Sequence, residues 1–79
     1  MIVEVQRLRP GHVSMFVCVS PDGKETTLPI PAERRAFAPT LALLRSAYGT
    51  AFAVLEWHGN KKSRIGLSED DAYSGRIHV

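Results

Sequence analysis

This 79-residue chain has one cysteine, three scattered histidines and no surplus of acidic residues. One thiol cannot close an internal disulfide. Cys18 lies inside the apolar run MFVCV, where the expected role is a small buried hydrophobe. His12, His58 and His78 have no H-x-x-x-H or C-x-x-C partner nearby, so no zinc site or other cofactor is implied. No glycine-rich loop precedes a long helix, which removes a phosphate cradle. No apolar stretch approaches the roughly 18 residues of a membrane span. The start MIVEVQRLRP lacks the basic head and apolar segment of a signal peptide, so a cytoplasmic location without a membrane partner is expected. Ten Lys and Arg against eight Asp and Glu give a net charge of +2. A carboxylate-coated mimic of DNA cannot be net basic.

Size narrows the choice further. Surface scaling for a chain of 8.7 kDa gives roughly 4,700 Å² folded against roughly 12,600 Å² unfolded, so about 60% is buried. That supports one α+β domain over residues 1–79 with a thin core, a single sheet covered by a helix. It does not support a catalytic cleft walled by two layers. A hydrophobic content of 44% with 23% charged residues argues against disorder.

The patterning predicts a β-meander, a helix and a β-hairpin. Residues 2–8 read as a first strand, followed by turn chemistry at Arg9-Pro10-Gly11-His12. Residues 13–19 alternate clearly, with Val13, Met15, Val17 and Val19 on one face and Ser14, Phe16 and Cys18 on the other. Apolar residues on both faces mark a central strand. Ser20-Pro21-Asp22-Gly23 is a strong reverse turn into a third strand at 24–30. Pro29 cannot donate to a ladder, which places that strand at an edge. A short turn at 32–37 then precedes a main helix at 39–48, with Pro39 near its first position. Leu41, Leu44 and Tyr48 form the helix's apolar stripe, widened by Leu43 and Ala47, while Arg45 and Ser46 face out. Gly49 ends the helix. A hairpin of strands 51–58 and 63–67 turns at Gly59-Asn60. Ser68 then caps a single helical turn, with Asp71 in the Glu position of a capping box and Gly75 closing it. The segment RIHV can add a short edge strand. The expectation is an antiparallel sheet of about five strands with one main helix packed on one face.

Enzyme readings fail on residue types. Cys18 lies mid-strand, not at an exposed helix start where a nucleophile would be activated. Glu69, Asp70 and Asp71 suit a helix N-terminus, where acids complement the backbone dipole. No catalytic residue and no small-molecule substrate are expected. Binding readings fare better. The run Trp57-His58-Gly59-Asn60-Lys61-Lys62-Ser63-Arg64 is a basic hairpin tip with an aromatic at its base. Cations track phosphates, and an aromatic stacks a base or anchors a protein interface. The plainer roles are solvated lysines and a core tryptophan. Arg34 and Arg35 sit at a helix start, where positive charge opposes the dipole, and a broken local rule marks a candidate site. Arg7 and Arg9 form a third basic group beside the first turn. The candidate partner-binding set is therefore Trp57, His58, Lys61, Lys62, Arg64, Arg34, Arg35, Arg7 and Arg9.

With its tight turns PGH, PDG and HGN between short strands, the chain resembles the small inhibitor proteins of phages and mobile elements, above all the anti-CRISPR proteins. The resemblance covers the whole chain in size and architecture and matches no residue motif. It implies a non-catalytic protein that binds a host multi-subunit complex such as a CRISPR surveillance complex and blocks DNA binding or nuclease recruitment. The basic charge sets this chain apart from that group's acidic members. It suits an acidic protein patch or, alternatively, a small nucleic-acid-binding module working through the basic hairpin.

Overall fold

The computed structural model describes residues 2–4, 12–57, 60–74 and 76–78. Its elements run β1 (Ile2–Glu4), β2 (His12–Val19), β3 (Glu25–Pro29), a 3₁₀ turn at Arg34–Ala36, α1 (Phe37–Tyr48), β4 (Thr50–Trp57), β5 (Asn60–Leu67), α2 (Glu69–Ser74) and β6 (Arg76–His78). The class is α+β. Four strands form one antiparallel sheet in the order β3-β2-β4-β5, and β1 pairs with β6 in a separate antiparallel ribbon.

This corrects the expected single sheet of about five strands, whose first three strands were to form the meander. A strand has two edges, and β2 has filled both. β4 lies along its whole length, from His12 opposite Trp57 to Val19 opposite Thr50, and β3 takes the other side. The three-residue β1 pairs instead with the equally short β6, Ile2 opposite His78 and Glu4 opposite Arg76. The rest of the first predicted strand, residues 5–8, and the turn residues 9–11 lie outside the described residues, as do Gly59 and Gly75.

The β2–β3 turn shows why its sequence was so readable. The Gly23 N–H donates to the Ser20 carbonyl at 2.8 Å, and the Ser20 N–H donates to the Lys24 carbonyl at 3.0 Å. Gly23, at φ 85°, takes the left-handed position that closes a three-residue hairpin loop. The Asp22 carboxylate accepts from the Lys24 N–H at 3.1 Å and pairs with the Ser20 hydroxyl. Because Ser20 and Lys24 form a bonded rung, alternation makes Thr26 and Leu28 bond to β2 and turns the backbone of Glu25, Thr27 and Pro29 outward. Pro29 thus sits where no N–H is needed.

Helix α1 begins at Phe37, two residues before the expected start, with Pro39 third in line. The first turn's N–H groups have no intrahelical acceptor, so a proline there removes nothing. Gly49, at φ 101°, ends the helix as expected, its N–H donating to the Arg45 carbonyl at 2.9 Å. The Arg45 Nε–H donates to the Ala51 carbonyl at 3.0 Å, tying the helix end to β4.

One face of the sheet carries the core. Leu28, Phe16, Ala53 and Leu67 form a single rung across all four strands. The small Ala53 beside Phe16 lets Phe37 descend from α1, with ring centroids 5.1 Å apart, and Tyr73 from α2 meets Phe37 edge-on at 5.9 Å. Leu28, Ile30, Leu41, Leu44 and Ala72 pack around this cluster. Leu43 and Ala47, expected to widen the helix stripe, are instead exposed, Leu43 at 70%. At about 100° per residue Leu43 and Ala47 lie on the side of Leu44 away from Phe37 and Leu41, and so leave the buried arc. Helix α2 is capped as predicted, with the Asp71 N–H donating to Ser68 Oγ at 3.1 Å. Its Tyr73 hydroxyl donates to the Pro31 carbonyl at 2.6 Å, fastening α2 to the segment before α1.

Candidate partner-binding surface

The other sheet face has no helix over it among the described residues. Strand parity places Val13, Met15, Val17 and Val19 of β2 there, with Glu25, Thr27 and Pro29 of β3, Phe52, Val54 and Glu56 of β4, and Arg64 and Gly66 of β5. Val17 and Val54 are 0% and 3% exposed, whereas Val13 and Phe52 are 40% and 37% exposed. The face therefore has a dry centre with two apolar side chains standing at its surface.

Arg64 organises this face. Its Nε–H donates to Glu56 at 2.7 Å, and Nη1 and Nη2 grip the two Glu25 oxygens at 2.9 and 3.1 Å. Glu56 is its hairpin neighbour, but Glu25 lies on the opposite edge strand and near the opposite strand ends, because it pairs with Val19 whereas Glu56 pairs with Val13. In a flat sheet, three strand spacings and six residues of rise would part those corners by about 25 Å. The right-handed twist of about 20–25° per strand lifts diagonal corners toward the same face. The bridge spans what twist leaves. The two carboxylates, Glu25 first, hold the Arg64 guanidinium well above its ordinary pKa, and the side chain is only 18% exposed.

The other predicted arginines are also engaged. Arg34 forms ion pairs with Asp70 and, at 3.5 Å, with Glu69, and these contacts, that with Asp70 foremost, raise its pKa. The positive charge that opposed the dipole of its own helix start thus serves the acidic first turn of α2. Arg35 pairs with Glu33 at 2.6 Å. These three arginines take five of the eight acidic residues with them, so the chain's positive excess resides in the other seven basic residues. Lys61 and Lys62 belong to β5, and Trp57 ends β4 opposite both His12 and Asn60. Arg7, Arg9 and His58 lie outside the described residues. The structure brings Arg64 onto the face away from the helices and puts Arg34 and Arg35 in the 3₁₀ turn before α1, with Arg34 against α2. They form no common basic surface.

Sequence reasoning missed Glu25, Glu56, Val13 and Phe52 as surface-shaping residues. The Glu56–Arg64 pair was legible in principle from the hairpin register, whereas Glu25 had no local signal. Among the described residues no group of three or more His, Cys, Asp or Glu could hold a metal ion, and no pocket opens. No described helix is long and apolar enough to cross a membrane. No protein-family model, curated protein or solved structure matches the chain.

Proposed function

We propose that this chain is a non-catalytic, stoichiometric protein-binding module that docks through the helix-free sheet face. The inhibitor of a CRISPR surveillance complex implied by its size and architecture is the specific instance. The observation that carries the reading is that Val13 and Phe52 stand exposed on this face beside the Glu25–Arg64–Glu56 ion triad. Exposed apolar side chains beside charged groups suit a protein interface, in which a few large side chains supply most of the binding energy. A standard interface covers about 800 Å² per partner, a large share of so small a surface. Trp57 ends β4, and Lys61 and Lys62 lie in β5; the positive charge of the two lysines favours an acidic patch on the partner.

The test is affinity capture from a bacterial lysate with nuclease, using the native chain and a Val13→Glu, Phe52→Glu variant as bait. A near-stoichiometric protein held by the native chain and lost with the variant supports the proposal. Recovery that disappears with nuclease moves the assignment to nucleic acid. A partner retained by the variant removes the sheet face. For the CRISPR instance, expression of the chain should restore plasmid transformation against a targeting CRISPR system, and unaltered interference would overturn it.

A further inference from the structure

We propose that the Glu25–Arg64–Glu56 bridge is a strap that fixes the curl of the four-stranded sheet and keeps Val17 and Val54 dry on the face without a helix. The inference does not depend on a docked partner. Both valines belong to the face opposite α1 and α2, yet they are as buried as Phe16 and Ala53 beneath the helices. The bridge crosses that face from β5 to β3, over the two strands that carry them. A guanidinium is suited to this task because its planar fork sets direction as well as attraction.

The two arms of the strap are not equivalent. Glu56 holds the Nε side and anchors Arg64 on its own hairpin, whereas Glu25 receives both Nη groups and carries the strap to the far edge. Cutting the Glu25 arm therefore releases β3 from the strap, leaving only its ladder to β2, while Arg64 stays anchored. Cutting the Glu56 arm leaves the cross-sheet tie in place. A chain lacking the strap should open the face without unfolding α1, whose packing on the other side rests on Phe37, Leu41 and Leu44.

The experiment compares Glu25→Gln and Glu56→Gln in the full chain by binding of the dye bis-ANS and by amide hydrogen exchange. Glu25→Gln should raise dye fluorescence several-fold and speed exchange of the Thr26 and Leu28 amides at least tenfold, with α1 exchange unchanged. Glu56→Gln should change both readings much less. Native dye binding and exchange in Glu25→Gln would overturn the strap, as would acceleration spread equally over α1. A second reading needs no substitution: nitrogen-15 spectra of the native protein should show slowed rotation of the Arg64 Nη groups. Freely averaged Nη signals would also overturn it.

Discussion

Arg64 and Glu25 stand on the two opposite edge strands of the sheet, 39 residues apart in sequence, and meet in a two-pronged ion pair at 2.9 and 3.1 Å. The pair lies between the exposed and buried regimes, since Arg64 is 18% and Glu25 36% exposed. Exposed pairs contribute up to about 1 kcal/mol and fully buried ones cost about 3–5 kcal/mol to break. Arg64→Ala should therefore lose about 1–2 kcal/mol, partly by leaving the 12% exposed Glu56 without its cation. Urea unfolding followed by far-UV circular dichroism checks this. A midpoint equal to that of the native chain would show that the bridge is incidental to stability.

Phe37 is the joint of the core. It touches Phe16 on the sheet and Tyr73 on α2, so both helices depend on one ring. Phe37→Ala should cost about 3–5 kcal/mol. A chain of this length holds only about 4–12 kcal/mol in all. The variant should melt at least 15 °C lower or not fold at 37 °C, as read by calorimetry.

Helix α2 has six residues and cannot stand alone. Its cap and its tether keep it in place. Ser68→Ala should cost about 1 kcal/mol by freeing the Asp71 N–H. Tyr73→Phe should cost about the same by freeing the Pro31 carbonyl. Faster amide exchange confined to α2 and the segment it holds is the expected reading in both variants.

A buried thiol and a partly buried phenol set the alkaline limit. Burial pushes the Cys18 thiol above its ordinary 9.0, and burial followed by the Glu69 charge pushes the Tyr73 phenol above 10.0. Both groups keep their protons longer in the folded chain. Their contribution to stability is therefore full below pH 9 and is lost as pH rises through the folded values. Cys18→Ala should flatten the first part of that fall, between pH 9 and 10, in urea titrations at stepped pH. An unchanged slope would exclude the thiol.

At acid pH the sign reverses. The Ser20 hydroxyl, then the Lys24 N–H, hold the Asp22 carboxyl below its ordinary 3.8. The contribution is present above that value and lost as pH falls through the folded one. Asp22→Asn should reduce the acid slope below pH 4, while Gly23→Ala, forced to φ 85°, should cost about 1–2 kcal/mol at every pH.

Local structure was the legible part. Alternation found β2, a Pro-Asp-Gly turn found the first hairpin, Pro29 marked an edge, and Ser68 and Gly49 marked helix ends. Each of those signals acts within a few residues. The partner of β1 was hidden because pairing depends on which edges remain free after β3 and β4 have docked. The arginines misled for a similar reason. Arg34 meets Asp70 and Arg64 meets Glu25 across more than 30 residues, so a cation that looks available in the sequence is matched only after the sheet and α2 have formed. Leu43 shows the limit of a helical stripe, which gives the period but not the width of the buried arc.

The pairing of β1 with β6 also sets an order of events during synthesis. Ile2 emerges from the ribosome long before His78, its opposite number, so β1 must wait for nearly the whole chain while the four-stranded sheet assembles. Contacts of such long range close late and slowly. The ribbon should be the last element to form and the first to fray, leaving the sheet and α1 to fold as the nucleus.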